Sequence, residues 1–268
     1  NPVQLADAVI SLLTDERLRN NISSNGIHRM ASTAWENTAI AHGLLFKQTG
    51  SSAISLQYKM PPVNLAHIKK LTTDFGMIQF SKINQPDITS GYTLDDNARA
   101  MIAMCQHFEF SHDEEDIKYI RIYLRFIQHC LQPNGDFLFF LNEQKDFSEQ
   151  NNTTNLADSN GRAVWALGYL ISMHNILPEE LINAADTVIQ SALHNISYIH
   201  STRAMAFAIK GLYYYNSKKE TPGNLLLIKE LANRLVQMYR HEMDEKWQWF
   251  ESYLTYVNSI LPESLLCA

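Results

Sequence analysis

Cysteine is scarce in this chain. Only three occur among 268 residues, Cys105, Cys130 and Cys267, and none has CxxC or Cys/His ligand spacing. That excludes a disulfide framework or zinc ribbon of recognisable pattern. Each sits among apolar neighbours, where a thiol serves as a small buried hydrophobe. A sparse, odd count fits a reducing compartment, so a cytoplasmic protein is expected. Long apolar runs are also missing. Stretches such as Ala163–Ile171 fall well short of the roughly 20 residues a membrane helix needs, so no membrane span is expected. Positive charge is short too: the net charge is −6 and the pI about 5.9. The pairs Lys69-Lys70 and Lys218-Lys219 form no basic stripe, so no nucleic-acid partner is expected. GxGxxG, P-loop, GxSxG, HExxH and EF-hand patterns are absent, and His107, His129, His174 and His194 are scattered. No cofactor and no metal site are expected.

What is present is the composition of a globular protein, 46% hydrophobic and 19% charged. Residues 1–48 read as helices only. Leu5, Ala8, Val9, Leu12 and Leu13 keep helical spacing behind Pro2, and Asp15-Glu16 open a second, polar helix. Ser32 or Thr33 is placed to cap a third, from Trp35 to Lys47. Gly50-Ser51-Ser52 and Pro61-Pro62 mark a linker over 49–61.

Beyond the linker a small signature recurs: Asp95-Asp96-Asn97-Ala98-Arg99-Ala100, Asp158-Ser159-Asn160-Gly161-Arg162-Ala163, and His200-Ser201-Thr202-Arg203-Ala204. Each opens a helix rich in small residues. Between these lie one-faced amphipathic helices, from about Asp113 to Gln132, from Pro178, and from about Leu225 to His241. Small-residue helices can pack closely on several neighbours, as an inner layer must. The one-faced helices suit an outer layer. The interval fits a long helical hairpin with its loops. The expected fold is all-α: an (α/α) toroid of helical hairpins over 62–268, an incomplete six-hairpin ring, behind a short helical tail. An open solenoid is the competing arrangement.

Residues 1–48 resemble the last helices of a GT-B glycosyltransferase of the group 1 type, through Asn1-Pro2, Leu5-Ala6-Asp7-Ala8-Val9, Leu12-Leu13, Asp15 and Trp35-Glu36. Residues 62–268 resemble the six-hairpin glycosidase superfamily, and the helical domain that follows some such glycosyltransferases. Gly91-Tyr92-Thr93-Leu94-Asp95-Asp96-Asn97-Ala98-Arg99-Ala100, Asp158 with Gly161-Arg162-Ala163, and Trp249-Phe250-Glu251 carry the likeness. The family pattern implies Gln-His where this chain has Gln79-Phe80, and an acidic residue where it has Ala157. The resemblance implies an oligosaccharide or glycan partner, an attached glycosyltransferase domain and a longer protein.

A glycoside hydrolase needs two carboxylates, one to protonate the leaving oxygen and one to activate water or attack. Asp96 and Glu251 are the expected catalytic pair, with Asp158 as substitute. Tyr92, Asp95, Asn97 and Trp249 are the expected sugar-binding residues. All lie near the starts of inner helices or in aromatic-rich connections such as Phe75–Phe80, Asn134–Phe140 and Trp247–Glu251. Aromatic rims suit the C–H faces of sugars. A structural reading stands beside this one: Asp95 and Asp158 as helix N-caps with i,i+4 ion pairs to Arg99 and Arg162. Function therefore divides three ways: a glycoside-hydrolase-like enzyme, a non-catalytic glycan-binding module, or a protein-interaction scaffold.

Overall fold

The computed structural model describes residues 2–30, 35–49 and 62–268. It divides into two compact units at Val63/Asn64. The first unit holds α1 (Pro2–Thr14), α2 (Glu16–Met30) and α3 (Trp35–Thr49), the three expected helices. Asp15 caps α2, its Oδ1 accepting the Leu18 N–H at 2.9 Å. The expected caps Ser32 and Thr33, and nearly all of the expected linker, lie outside the described residues.

The second unit begins with α4 (Ala66–Leu71), β1 (Ile78–Lys82) and β2 (Gln85–Thr93). Then come α5 (Leu94–Ser111), α6 (Glu115–Cys130), β3 (Phe140–Leu141), α7 (Ala157–Ser172), α8 (Glu179–Ile196), α9 (Thr202–Asn216), α10 (Pro222–Glu242) and α11 (Ile260–Leu266). The chain is mostly helical, as expected. The sheet is an addition. β1, β2 and β3 pair antiparallel in that order, with Tyr92 opposite both Ile78 and Leu141. The ends of the connections Phe75–Phe80 and Asn134–Phe140, expected as loops, thus become strands that flank β2.

Burial separates two kinds of helix. In α9 every residue from Thr202 to Leu212 is buried. α5 and α7 are buried over most of their circumference. In α6 and α8 burial follows one face, as in Ile120, Tyr123, Leu124 and Ile127 of α6. Small residues explain the close inner packing. A Cβ added to Gly161 would lie 2.6 Å from the Ala204 carbonyl oxygen, and one on Gly168 only 2.0 Å from that of Gly211. Both partners advance by seven residues, so α7 and α9 run parallel with backbones nearly touching. α5 lies parallel on the other side of α7: Arg162 meets Asp95 near their starts, and Tyr169 donates to Glu109 further along, at 3.0 Å. α11 joins α9, where the Lys210 Nζ lies 2.5 Å from Glu263. The result is an inner row α5-α7-α9-α11 backed by the outer helices α6, α8 and α10. Residues 62–268 complete no ring, because α5 and α11 do not pack on each other extensively.

The hairpin α5–α6 buries a carboxylate at its turn. Asp116 is fully buried, with the His107 Nδ1 at 2.5 Å and the Lys69 Nζ at 3.7 Å. Such a charge needs both neighbours, since an isolated buried carboxylate is very costly.

Candidate functional site

Parallel inner helices place their starts at one end of the second unit. There a cavity of about 590 Å³ opens, lined by Asp95, Asp158, Arg162, Arg203, Glu251 and Tyr256 among others. Helix N-termini converge on it, and their dipoles favour carboxylates. Three of the expected site residues meet here: Asp95, Asp158 and Glu251.

Each carboxylate is held differently. Asp95 lies between two guanidiniums, Arg162 Nε at 2.6 Å and Arg99 Nη2 at 2.8 Å. The Arg162 contact is an ion pair without an aligned hydrogen bond, which leaves Oδ1 buried and unsatisfied. Burial pushes the Asp95 carboxyl up from its ordinary value, against the pull of Arg162 and Arg99 and with the help of neighbouring Asp96. Asp158 accepts from the Ser201 hydroxyl at 2.5 Å and from the Tyr256 hydroxyl. Burial, and then the Asp158 bond, push that phenol up to about 12, so it stays protonated and donates. Glu251 is clamped most firmly. Its two oxygens lie 2.5 and 2.7 Å from Arg203 Nη1, and Thr202 donates to it at 2.5 Å.

Arg203 organises the third wall. Its Nε donates to the Tyr256 carbonyl at 2.8 Å and its Nη2 to Asn258 Oδ1 at 3.0 Å. One side chain thereby ties the loop 251–258 to the start of α9. Tyr256 then bridges to Asp158 on α7. Arg162 stacks over the Phe207 ring at 4.1 Å, and Phe207 stacks on Trp165. The guanidinium is thus fixed above by Asp95 and below by an aromatic face.

The other expected site residues lie outside this cavity. Asp96 completes the start of α5: Thr93 caps the helix, accepts the Asp96 N–H and donates its hydroxyl to Asp96 Oδ2 at 2.6 Å. Arg99 holds the other oxygen at 2.7 Å. Asn97 is fully buried and serves as a backbone clamp, accepting from Met77 N–H at 2.7 Å and donating to the Thr93 carbonyl at 2.8 Å. Asn160 repeats that clamp in α7 on Phe137, accepting at 2.8 Å and donating at 2.9 Å. Tyr92 is a core residue, 2% exposed, packed against Phe75 and Phe126. Trp249 packs against Phe250, and its buried indole N–H has no partner among the described residues.

The N-cap reading of Asp95 and Asp158 is corrected. The caps are Thr93 and Leu156, so each aspartate is the second residue of its helix, and Asp158 turns across to α9 instead of back to Arg162. Sequence reasoning left Arg162, Arg203, Ser201 and Tyr256 out of the site. The arginines were visible in the repeated signature. A buried arginine at a helix start demands a carboxylate, and that demand was the available signal. Local spacing gave no signal for Tyr256, because its partner is 98 residues away.

No helix among the described residues is long and apolar enough to cross a membrane. No protein-family model matches this chain, and no curated protein matches it, so its function rests on the chemistry of this cavity.

Proposed function

We propose that the second unit is a carbohydrate-binding helical module whose cavity at the inner-helix starts takes an oligosaccharide. One observation carries the reading. Carboxylates, arginines and hydroxyls converge from α5, α7, α9 and the loop 251–258 in one polar cavity bordered by Phe139, Tyr253 and Tyr256. Sugar hydroxyls need both donors and acceptors at short range, and sugar C–H faces need aromatic surface. The likeness of residues 1–48 to a glycosyltransferase tail extends the proposal: the module accompanies a sugar-transferring partner, in the cytoplasm. Calorimetric titration with a panel of neutral oligosaccharides tests the reading. Saturable binding that Tyr253→Ala and Asp158→Asn each weaken is expected. Absence of binding to every member of the panel overturns it.

A second reading, glycoside hydrolysis, is favoured by Asp95. Its raised proton affinity suits the general acid of a two-carboxylate pair, with Asp158 as the other member. Glu251 suits a positioning role better, since Arg203 occupies both of its oxygens. Reducing-sugar release lost in both Asp95→Asn and Asp158→Asn supports hydrolysis. Binding without release by the unaltered chain leaves the binding module as the function.

A further inference from the structure

A second cavity of about 880 Å³ adjoins the first, between the starts of α7 and α9, the end of α8 and the loop 132–138. The two share Asn155, His200 and Ser201 in their walls. Their chemistry differs. The first holds three carboxylates and two arginines. The second is lined mainly by apolar residues such as Phe137, Leu138, Ile196 and Ile199, with the amides Asn134, Asn155 and Asn195 among them, and Asp136 is the one carboxylate among its described residues.

Asp136 and the amides around it are already organised. Asn195 Nδ2 donates to Asp136 Oδ1 at 2.9 Å and to the Asn134 carbonyl at 2.8 Å, and Asn134 Nδ2 donates to Asp136 Oδ2 at 2.9 Å. These bonds fix the carboxylate in place within the wall. Gly135 backs the same wall, since a Cβ there would lie 2.5 Å from the Ser191 carbonyl oxygen. At the junction, Asn155 uses only its Oδ1, on the Ala157 N–H at 2.9 Å. Its amide N–H₂ points to no acceptor among the described residues. Tyr198 stands at the edge, 66% exposed, with its ring set edge-on to His194.

We infer that this second cavity is a subsite for the uncharged sugar residues that continue the same oligosaccharide past Asn155 and His200. The inference rests on the proposed glycan reading of the first cavity. The Asn134 and Asn195 amides are already committed within the wall, so Asn155 is the amide that offers its N–H₂ to a sugar hydroxyl, beside apolar surface that matches sugar C–H faces and gives nothing to an anion. No lysine or arginine is among the described residues of this wall to hold a carboxylate or phosphate. Tyr198 supplies the flat apolar surface on which a pyranose ring stacks. The combined site is therefore built for a neutral chain of several units.

The test is calorimetric titration of the whole chain with neutral gluco-, manno- and xylo-oligosaccharides of one to six units. Affinity is expected to rise with length in at least one series. Tyr198→Ala is expected to weaken the longer members about tenfold and leave the monosaccharide unchanged, and Tyr198→Phe is expected to keep the long-chain affinity. Circular dichroism checks that each variant keeps its helices. Binding that does not depend on length, or a Tyr198→Ala loss equal for short and long members, overturns the subsite while the first cavity stands. Absence of binding by all probes overturns both readings.

Discussion

Replacing Arg203 by Met is the sharpest test of the site's construction. Only 5% of the Arg203 side chain and 13% of the Glu251 side chain reach solvent. The substitution keeps most of the aliphatic length and removes the guanidinium. Among the described residues the Glu251 carboxylate then keeps only the Thr202 hydroxyl, the Tyr256 carbonyl loses its side-chain donor, and Asn258 Oδ1 keeps the Thr255 N–H alone. Removing one partner of a buried ion pair costs about 3–5 kcal/mol, because the other charge is left desolvated. For a unit of this size that corresponds to a melting temperature lower by about 6–20 °C. Arg203→Lys keeps the charge and cannot reach Glu251, Tyr256 and Asn258 together, so an intermediate loss is expected. Urea unfolding followed by circular dichroism measures each. A cycle with Glu251→Gln should return a coupling of about 1–3 kcal/mol. A loss below about 1 kcal/mol for Arg203→Met, the level of a surface pair, would refute the reasoning. It would mean that water replaces the guanidinium freely and that the loop 251–258 is not tied to α9 by this residue.

The inner packing makes a paired prediction. Gly168→Ala places a methyl 2.0 Å from the Gly211 carbonyl oxygen and should destabilise by at least about 1–3 kcal/mol, whereas Gly26→Ala in α2, where no atom lies within 4 Å, should stabilise by about 0.5–1 kcal/mol; equal effects in unfolding assays would contradict the close approach of α7 and α9. Asp95 makes a pH prediction. Its folded value lies above the ordinary 3.8, so its contribution is fully present below 3.8 and is lost as pH rises through the folded value. The stability of Asp95→Asn relative to the unaltered chain should therefore improve between pH 3.5 and pH 6.5, and a change of opposite sign in urea unfolding would show that the arginines outweigh burial. Tyr256→Phe removes one of the two hydroxyls on Asp158 and should weaken oligosaccharide affinity about tenfold with a loss of stability near 1 kcal/mol; unchanged affinity in calorimetry would remove Tyr256 from the site.

Period and residue size were sufficient to read the helices. The alternation of small-residue and one-faced helices in the sequence separates α5, α7 and α9 from α6, α8 and α10, because the number of neighbours a helix can accept depends on how close its backbone can come. The repeated signature likewise locates the inner-helix starts, and with them the end of the unit where polar groups gather. Asp95, Asp158 and Glu251 were legible there as charged residues at helix starts or between aromatics. Tertiary structure decided which of the acidic groups face the cavity. Asp95 and Asp96 are adjacent, so the roughly 100° turn per residue sends one toward Arg162 and returns the other to Thr93. No local rule chooses between them, since the choice depends on where α7 lies. The same holds for Glu251, whose partner Arg203 is 48 residues distant, and for β3, which joins the local β1–β2 hairpin only after α5 and α6 have folded back. Local spacing sets which face of a helix is apolar. Only packing sets which charge it meets, because the energy of a buried ion depends on neighbours that are remote in sequence.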